Sequence, residues 1–287
     1  MPTLDRVLNL RTVLLLATLT GLLLWLGNYF FGQGGLIWAL GLAAVMNIGA
    51  YWFSDRLVLA MTGAKPVSES EAPELYAMVR RVAQESDVPM PRVYLVDMAQ
   101  PNAFATGRDP EHGVVAVSPS IMQLLNRREL EGVIAHEMSH VKNRDTLVSA
   151  IAATLGGAIS YLAQTFMWFG GGRRDDRNGA GALVGLIAII LAPIAALLIQ
   201  LAISRGRELG ADATGAETIH DPLALASALE KLDQARKVLP ARSDLNPSTA
   251  HLFIVNPLSG EAMASLFSTH PSTAERVRRL RQMAGLA

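Results

Sequence analysis

Two histidines four residues apart, with a glutamate directly after the first, form the most distinctive chemical pattern in this sequence. Residues 133–140 read VIAHEMSH and contain the pattern H-E-x-x-H. On a helix, side chains four positions apart project from nearly the same face, so His136 and His140 can bind one metal ion together. Glu137 projects to one side of that pair, where it can take a proton from an attacking water. The pattern therefore predicts a hydrolytic site with one Zn²⁺ per subunit and Glu137 as the general base.

A catalytic zinc site needs a third protein ligand, which the residues next to the pattern do not supply. Residues 141–146 read VKNRDT, so neither a glycine nor a third histidine follows at short range. Glu208 is a candidate for this ligand. It follows the last long apolar run at about the same distance as His140 precedes the apolar run before it, so two antiparallel helices would bring the two side chains to the same height. Asp212, one helical turn further, can then orient a ligand histidine through its free ring nitrogen. The spacing leaves open the alternative that Glu208 is a solvated acid between two arginines.

Composition and charge restrict the class of protein. Hydrophobic residues make up 51% of the 287 residues and charged residues only 17%, with a formal net charge of zero. A soluble domain usually carries more charge, and a nucleic-acid binder needs a basic surface. The chain has no cysteine, which excludes disulfides, thiolate metal sites and a cysteine nucleophile. We therefore expect a membrane protein that binds no nucleic acid.

Four long apolar runs predict membrane-spanning helices. Leu10–Phe31 and Leu36–Phe53 are each close to the length that crosses a bilayer, and the glycine-rich residues 32–35 between them predict a tight hairpin. The third and fourth runs cover about residues 147–169 and 182–203. Basic residues flank the first, second and fourth runs on the side that the positive-inside rule assigns to the cytoplasm. Arginines between the third and fourth runs oppose the rule, so whether these two runs cross fully stays open.

The polar stretches have the periodicity of a mixed domain of helices and strands. Apolar residues at helical spacing predict a helix over residues 73–86, and a second helix begins at Arg127 and carries the histidine pair. Short runs rich in β-branched or aromatic residues predict three strands, at residues 93–96, 102–106 and 114–117. The metal-binding helix is thus expected to follow a small sheet.

Several motifs in order resemble the HtpX family of bacterial heat-shock membrane metalloproteases, which are relatives of the CAAX prenyl endopeptidases. These motifs are PNAFATG at 101–107, HEMSHVKNRD at 136–145, SRGRELGAD at 204–212 and STHPS at 268–272. The resemblance covers nearly the whole chain and includes the four apolar runs.

The resemblance implies a zinc endopeptidase of the bacterial cytoplasmic (inner) membrane, multi-pass and with its active site facing the cytoplasm. Its partners would be the lipid bilayer and its substrates damaged, misfolded or unfolded membrane proteins, cleaved in protein quality control. The resemblance also implies that Glu208 is the third zinc ligand and that His270 lies near the reacting carbonyl. Ser272 stands where the family usually has a second proline, which is a small departure.

The segment around Asn102, Ala103 and Phe104 is a candidate wall of the substrate cleft. A peptide that lies extended along a strand edge gains main-chain hydrogen bonds whatever its side chains are. A buried strand followed by a turn is the alternative, and the residues leave both open. Near the C-terminus, Arg276 and three further arginines predict a solvated, basic helix face.

These patterns together predict a mainly α membrane protein with four transmembrane helices and a zincin-like α+β cytoplasmic catalytic domain with a small β-sheet. Residues 1–53 would form a transmembrane hairpin and 54–145 the first catalytic part. A second hairpin would occupy 146–203, and 204–287 would be the second catalytic part with the third zinc ligand.

Three other functions fit the sequence less well. A transporter or metal sensor would be expected to carry ionisable residues within its spans, and the four runs carry no central acid or histidine. An inactive scaffold would be expected to have lost Glu137, which is present. Prenyl-peptide processing in a large intramembrane chamber fits poorly with a short chain of few spans.

Overall fold

The computed structural model describes residues 10–152, 205–238, 252–255 and 271–286. Within these ranges the chain is mostly helical, with one small sheet. The helices are α1 (Leu10–Thr62), α2 (Pro73–Glu85), α3 (Pro119–Leu124), α4 (Arg127–Lys142), α5 (Arg205–Thr218), α6 (Pro222–Val238) and α7 (Thr273–Met283). A further helical segment covers residues 145–152, where this part of the described chain ends.

The sheet has four strands: β1 (Lys65–Pro66), β2 (Arg92–Leu95), β3 (Ala103–Thr106) and β4 (Val114–Val117). Their order is β1-β2-β4-β3; β2 and β4 are parallel, and the outer two pairs are antiparallel. The three strands expected from β-rich runs all form, with bounds within one residue of the prediction. In the described sheet, β3 is an edge strand, and its outer edge is where the candidate site lies.

One face of the sheet packs against α2 and α4. Val115 and Val117 of β4 and Ala103 of β3 belong to the same buried cluster as residues of those helices, and α6 and α7 complete this cluster. The buried helix residues include Leu75, Val79, Val82, Val133, Ile134, Met138, Leu225, Leu229, Val277 and Leu280. This core holds α4, which carries the histidine pair, directly beside β3.

The opposite face of the sheet packs against the C-terminal end of α1. Val58 of α1 is fully buried and shares a cluster with Phe104 and Ala116. An ion pair of 2.7 Å between Asp55 of α1 and Arg92 of β2 adds a polar link. The apolar run was expected to end at Phe53, but the helix continues to Thr62, because its last turns bury side chains against the sheet.

α1 consists of two helices joined at Gly32. That glycine has φ 61° and ψ −153°, which is outside the helical region and unfavourable for a residue with a side chain. The two halves pack side by side, and the Nδ2 of Asn47 donates a hydrogen bond of 2.8 Å to the Oγ1 of Thr20. The structure therefore contains the helical hairpin that the glycine-rich residues 32–35 predict.

The second half of this hairpin, Gly32–Thr62, is the one helix among the described residues that is long and apolar enough to cross a membrane. Only 17% of its most apolar window is buried, and side chains such as Trp38 (82% exposed) are not covered by the described part of the chain. Leu16–Trp25 in the first half is a shorter apolar helix. Apart from residues 147–152, the third and fourth apolar runs lie outside the described residues.

The packing of α1 on the sheet predicts a difference between two neighbouring residues. Val58→Ala removes methyl groups from a fully buried site and should lower the free energy of unfolding by about 1–3 kcal/mol. Leu57→Ala is the matched control, because Leu57 is 40% exposed and should change stability much less. Thermal unfolding of the detergent-solubilised proteins measures both. Equal effects of the two substitutions would contradict the docking of α1 on the sheet.

Candidate metal centre

The helix that carries the histidine pair is fixed at its N-terminus by a capping box. The Asn126 side chain accepts a hydrogen bond from the Glu129 N–H, and the Glu129 carboxylate accepts one from the Asn126 N–H. The same carboxylate accepts hydrogen bonds of 2.7 Å from Ser227 and Lys231 of α6. These contacts set the start of α4 and tie it to α6.

His136, His140 and Glu208 come together in the structure. One ligand atom from each lies within 4.8 Å of the other two. The Nε2 of His136 is 3.7 Å from one carboxylate oxygen of Glu208, and the Nε2 of His140 is 3.5 Å from the other. These separations exceed an ordinary hydrogen bond but are close to the ~3.4 Å between ligand atoms that tetrahedral zinc geometry requires. The donor set therefore fits a metal ion such as zinc.

Glu208 reaches the histidines because α5 packs very closely on α4. The contact is made at Gly215 of α5, where an added Cβ would lie 2.8 Å from the backbone nitrogen of His136 and 3.0 Å from its Cα. No side chain fits in that space. Glu208 lies about two helical turns before this glycine, so the approach of the two helices sets its distance from the histidines.

Asp212 faces the other ring nitrogen of His136. Its Oδ1 is 3.0 Å from the Nδ1 of His136, as expected for a carboxylate that orients a ligand histidine. Arg276 of α7 donates two hydrogen bonds of 2.7 Å to this carboxylate, one to each oxygen. Burial by itself would raise the pKa of Asp212, but the charge and hydrogen bonds of Arg276 outweigh it and hold that pKa well below its usual range.

The expectation that Arg276 lies on a solvated helix face is wrong. Arg276 is only 2% exposed, whereas Arg278, Arg279 and Arg281 of the same helix are exposed and pair with Glu275 or Glu230. The physical reason is that Asp212 is itself buried beside His136 and needs a positive partner there. A count of arginines on one helix carries no information about such a distant partner.

The second ring nitrogen of His140 also faces a carboxylate that is paired with an arginine. The Nδ1 of His140 is 3.3 Å from Asp145, and Asp145 accepts a hydrogen bond of 3.0 Å from Arg207. Burial lowers the pKa of His140, but the hydrogen bond to Asp145 and the charges of Glu208 and Glu137 outweigh it and raise this pKa to about 9. The sequence reasoning missed both Asp145 and Arg207. The signal for Asp145 was its place five residues after His140, just beyond the end of α4.

Glu137 lies between the histidines and the edge strand. One of its carboxylate oxygens accepts a hydrogen bond of 2.9 Å from the backbone N–H of Ala105 in β3. Burial raises the pKa of Glu137, although the positive charge of His136 and His140 opposes the shift. A carboxylate with a raised pKa is suited to accept a proton and release it again in one reaction cycle.

These groups line one cleft. Besides the metal-ligand candidates and Glu137, its lining includes Phe104, Ala105, Leu252, Phe253 and Ile254. Of the three residues expected to flank the cleft, Phe104 lines it. Asn102 is fully buried behind the lining, and Ala103 packs into the main core. His270 lies outside the described residues.

The sequence matches the model of peptidase family M48 over residues 69–284. A relative from Syntrophobacter fumaroxidans named "Protease HtpX homolog" is 55% identical over 278 residues, which cover 95% of this chain and 98% of the relative. A relative of the same name from Pyrococcus furiosus is 54% identical and covers 96% of this chain and 95% of its own length. The chain therefore belongs to peptidase family M48, and it is a metalloprotease of the HtpX type.

A solved structure, that of S. mikatae Ste24p, has a similar fold. The TM-score is 0.53 at 17% sequence identity, and the match covers 94% of this chain. The chain spans 64% of the length of that structure. The resemblance to the HtpX family that the motifs indicate is thus confirmed, and the Ste24p likeness is one of fold.

The close contact at Gly215 predicts that a single methyl group there disturbs the metal centre. Gly215→Ala forces α5 away from the His136 backbone, so Glu208 moves and the protein should lose at least half of its bound metal on dialysis. Gly210→Ala on the same helix is the matched control, because an added Cβ at Gly210 meets none of the described residues within 4 Å. Mass-spectrometric metal analysis measures both variants. Full metal retention in Gly215→Ala would show that the contact does not set the position of Glu208.

Proposed function

We propose that the protein is a zinc-dependent endopeptidase that hydrolyses damaged or misfolded membrane proteins, as part of protein quality control in the bacterial inner membrane. The observation that carries the proposal is the position of Glu137. It lies next to the candidate ligands His136, His140 and Glu208 and is hydrogen-bonded to the edge strand of the sheet. A base, a metal-ligand set and a strand edge in one cleft are the parts that metal-dependent peptide hydrolysis needs.

One Zn²⁺ per subunit would be held by His136, His140 and Glu208. Zinc, when bound, supplies a Lewis acid that activates water and polarises a carbonyl group. Asp212 and Asp145 hold the far nitrogens of the two histidine rings, which leaves each Nε2 directed at the ligand position. Arg276 keeps the Asp212 carboxylate ionised, and Arg207 forms an ion pair with Asp145.

Glu137 acts as the general base and then as the general acid. One of its oxygens is held by the Ala105 N–H, which fixes the orientation of the carboxylate and leaves the other oxygen for proton transfer. Glu137 takes the proton of the attacking water and delivers it to the leaving amine. His270 is proposed to contact the oxygen of the reacting carbonyl, on the strength of the family resemblance alone.

The substrate chain would lie along the outer edge of β3. The Asn102 carbonyl accepts a hydrogen bond from the Ser118 N–H beside β4, whereas the Ala105 N–H points to Glu137. Because backbone groups alternate in direction along an antiparallel pair, Ala103 and Ala105 present theirs away from β4. The Ala105 N–H stays bonded to Glu137, so an extended peptide can pair with the outward groups of Ala103 and with the Ala105 carbonyl. Such pairing does not depend on the peptide sequence, which suits a protease for unfolded polypeptides.

The same proposal includes the membrane topology. Residues 1–53 and 146–203 would form two transmembrane hairpins, and 54–145 with 204–287 would form a catalytic domain on the cytoplasmic side, with a zincin-like core. The apolar helix Gly32–Thr62 and its packing against the first helix of the hairpin support the first of these hairpins. The basic residues that flank the apolar runs support the orientation.

The mechanism predicts that Glu137→Gln keeps the metal but abolishes cleavage. The amide cannot accept the water proton, so turnover should fall by at least about 100-fold and by as much as about 10⁴-fold. Hydrolysis of an unfolded membrane protein by the detergent-purified, zinc-loaded enzyme measures this. Glu131→Gln is the matched control, because Glu131 is on the same helix but pairs with Arg127 and Arg81 away from the cleft. Wild-type turnover by Glu137→Gln would remove Glu137 from the mechanism.

The ligand assignment predicts a different effect for Glu208→Ala. Loss of a residue that orients a metal ligand typically weakens metal binding by about 10–100-fold. Loss of the ligand itself should weaken zinc binding more than this, and activity should fall with metal content. Glu217→Ala, an exposed glutamate on the same helix, is the matched control and should bind zinc normally. Equilibrium titration with zinc separates the two. Unchanged zinc affinity in Glu208→Ala would contradict the assignment of Glu208 as the third ligand.

A further inference from the structure

A short segment, Leu252–Val255, crosses the edge of the sheet beside the cleft. Leu252 packs in the cluster on the α1 face of the sheet, together with Phe104 and Val58. Ile254 packs in the main core on the other face. Phe253 lies between these two anchored residues, is 5% exposed and lines the cleft. Packing on both faces of the sheet therefore holds the segment, with the Phe253 side chain at the cleft.

The buried side chain of Asn102 holds this segment by its backbone. The Asn102 Nδ2 donates to the Leu252 carbonyl at 3.3 Å, and its Oδ1 accepts from the Ile254 N–H at 3.1 Å. The backbone of Asn102 is itself fixed, since its N–H donates to the Ser118 hydroxyl and its carbonyl accepts from the Ser118 N–H. One carboxamide thus binds the chain on both sides of Phe253 and sets the direction of that side chain.

Arg276 provides a third attachment and relates the segment to the candidate ligands. Its Nη1 donates a hydrogen bond of 2.8 Å to the Ile254 carbonyl, while its other donors hold Asp212 behind His136. The position of Phe253 relative to His136 is therefore set by a continuous series of buried hydrogen bonds. Such a fully bonded network is rigid, and its loss leaves buried polar groups without partners.

The cleft is lined partly by apolar side chains and partly by charged groups. Phe104, Ala105 and the three residues Leu252, Phe253 and Ile254 form its apolar wall, and the charged groups of the metal centre line the same cleft. A substrate side chain next to the scissile bond would meet the apolar wall, because this wall and Glu137 belong to one cleft. Apolar contacts at such a position discriminate between side chains by burial alone.

We propose that Phe253 is a specificity-determining residue that favours an apolar substrate side chain beside the scissile bond, and that Asn102 is a positioning residue that places it. The proposal rests on the proposed function and adds a substrate preference to it. Asn102 acts through the backbone of Leu252–Ile254 and does not touch the substrate. Asn102 is fully buried behind the residues that line the cleft, so its role differs from that of a residue in direct contact with the substrate.

The test uses the full-length, zinc-loaded protein in detergent. Cleavage sites in denatured casein are mapped by mass spectrometry, and a short peptide around the strongest site is made in two forms, with leucine or serine beside the scissile bond. Phe253→Ala should lower the leucine-to-serine ratio of kcat/KM by about tenfold, mainly through KM. Phe253→Leu keeps an apolar wall and should retain most of the preference. Phe53→Ala, at an exposed phenylalanine of α1, should leave the ratio unchanged.

Asn102→Ala should lower the same ratio while metal content stays at the wild-type level. Loss of metal together with a large fall in thermal stability would show that Asn102 is merely structural. An unchanged ratio in Phe253→Ala would overturn the assignment of the wall.

The affinities of the leucine and serine peptides for the Glu137→Gln variant can be compared without turnover. This measurement therefore tests the present proposal separately from the proposed function. If wild type cleaves these peptides without bound metal, the proposed chemistry fails, whereas tighter binding of the leucine peptide that needs Phe253 keeps the subsite. Equal binding of both peptides contradicts the subsite.

Discussion

The arrangement of this protein depends on how closely α5 approaches α4. At Gly215 the two backbones are near enough that even one methyl group has no room, and this contact brings a carboxylate from a distant part of the chain to a histidine pair. The histidines belong to one helix and need only helical spacing to face the same way. No local spacing along the sequence fixes the position of Glu208 relative to the histidines, so that position depends on tertiary packing.

The second organising feature is charge. Four carboxylates, those of Glu137, Asp145, Glu208 and Asp212, are buried around the two histidines, and among the described residues Arg207 pairs with Asp145 and Arg276 with Asp212. Buried charge is tolerated only when it is paired. The imidazoles and carboxylates of the site are ligand types that zinc binds, which supports metal binding in addition to the distances between ligand atoms.

The site is also joined to the apolar part of the chain. Thr146 at the start of the 145–152 segment donates a hydrogen bond of 2.8 Å to the Gly107 carbonyl at the end of β3. Arg108, next along the chain, lies over the ring of Trp52 in α1 at 4.9 Å. The edge strand is therefore held between two helices of the apolar regions.

The sequence by itself determined what depends on local pattern. The spacing of His136 and His140, the β-rich runs of the sheet and the glycine-rich turn of the hairpin each act over a few residues, so periodicity predicts them. Only the tertiary structure decided that Arg276 is buried against Asp212, that Asp145 faces His140, and that Asn102 holds Leu252–Ile254. Each of these pairs a side chain with a partner from another element. Such choices follow from packing and from the need to satisfy buried polar groups, which leave no periodic signal in the sequence.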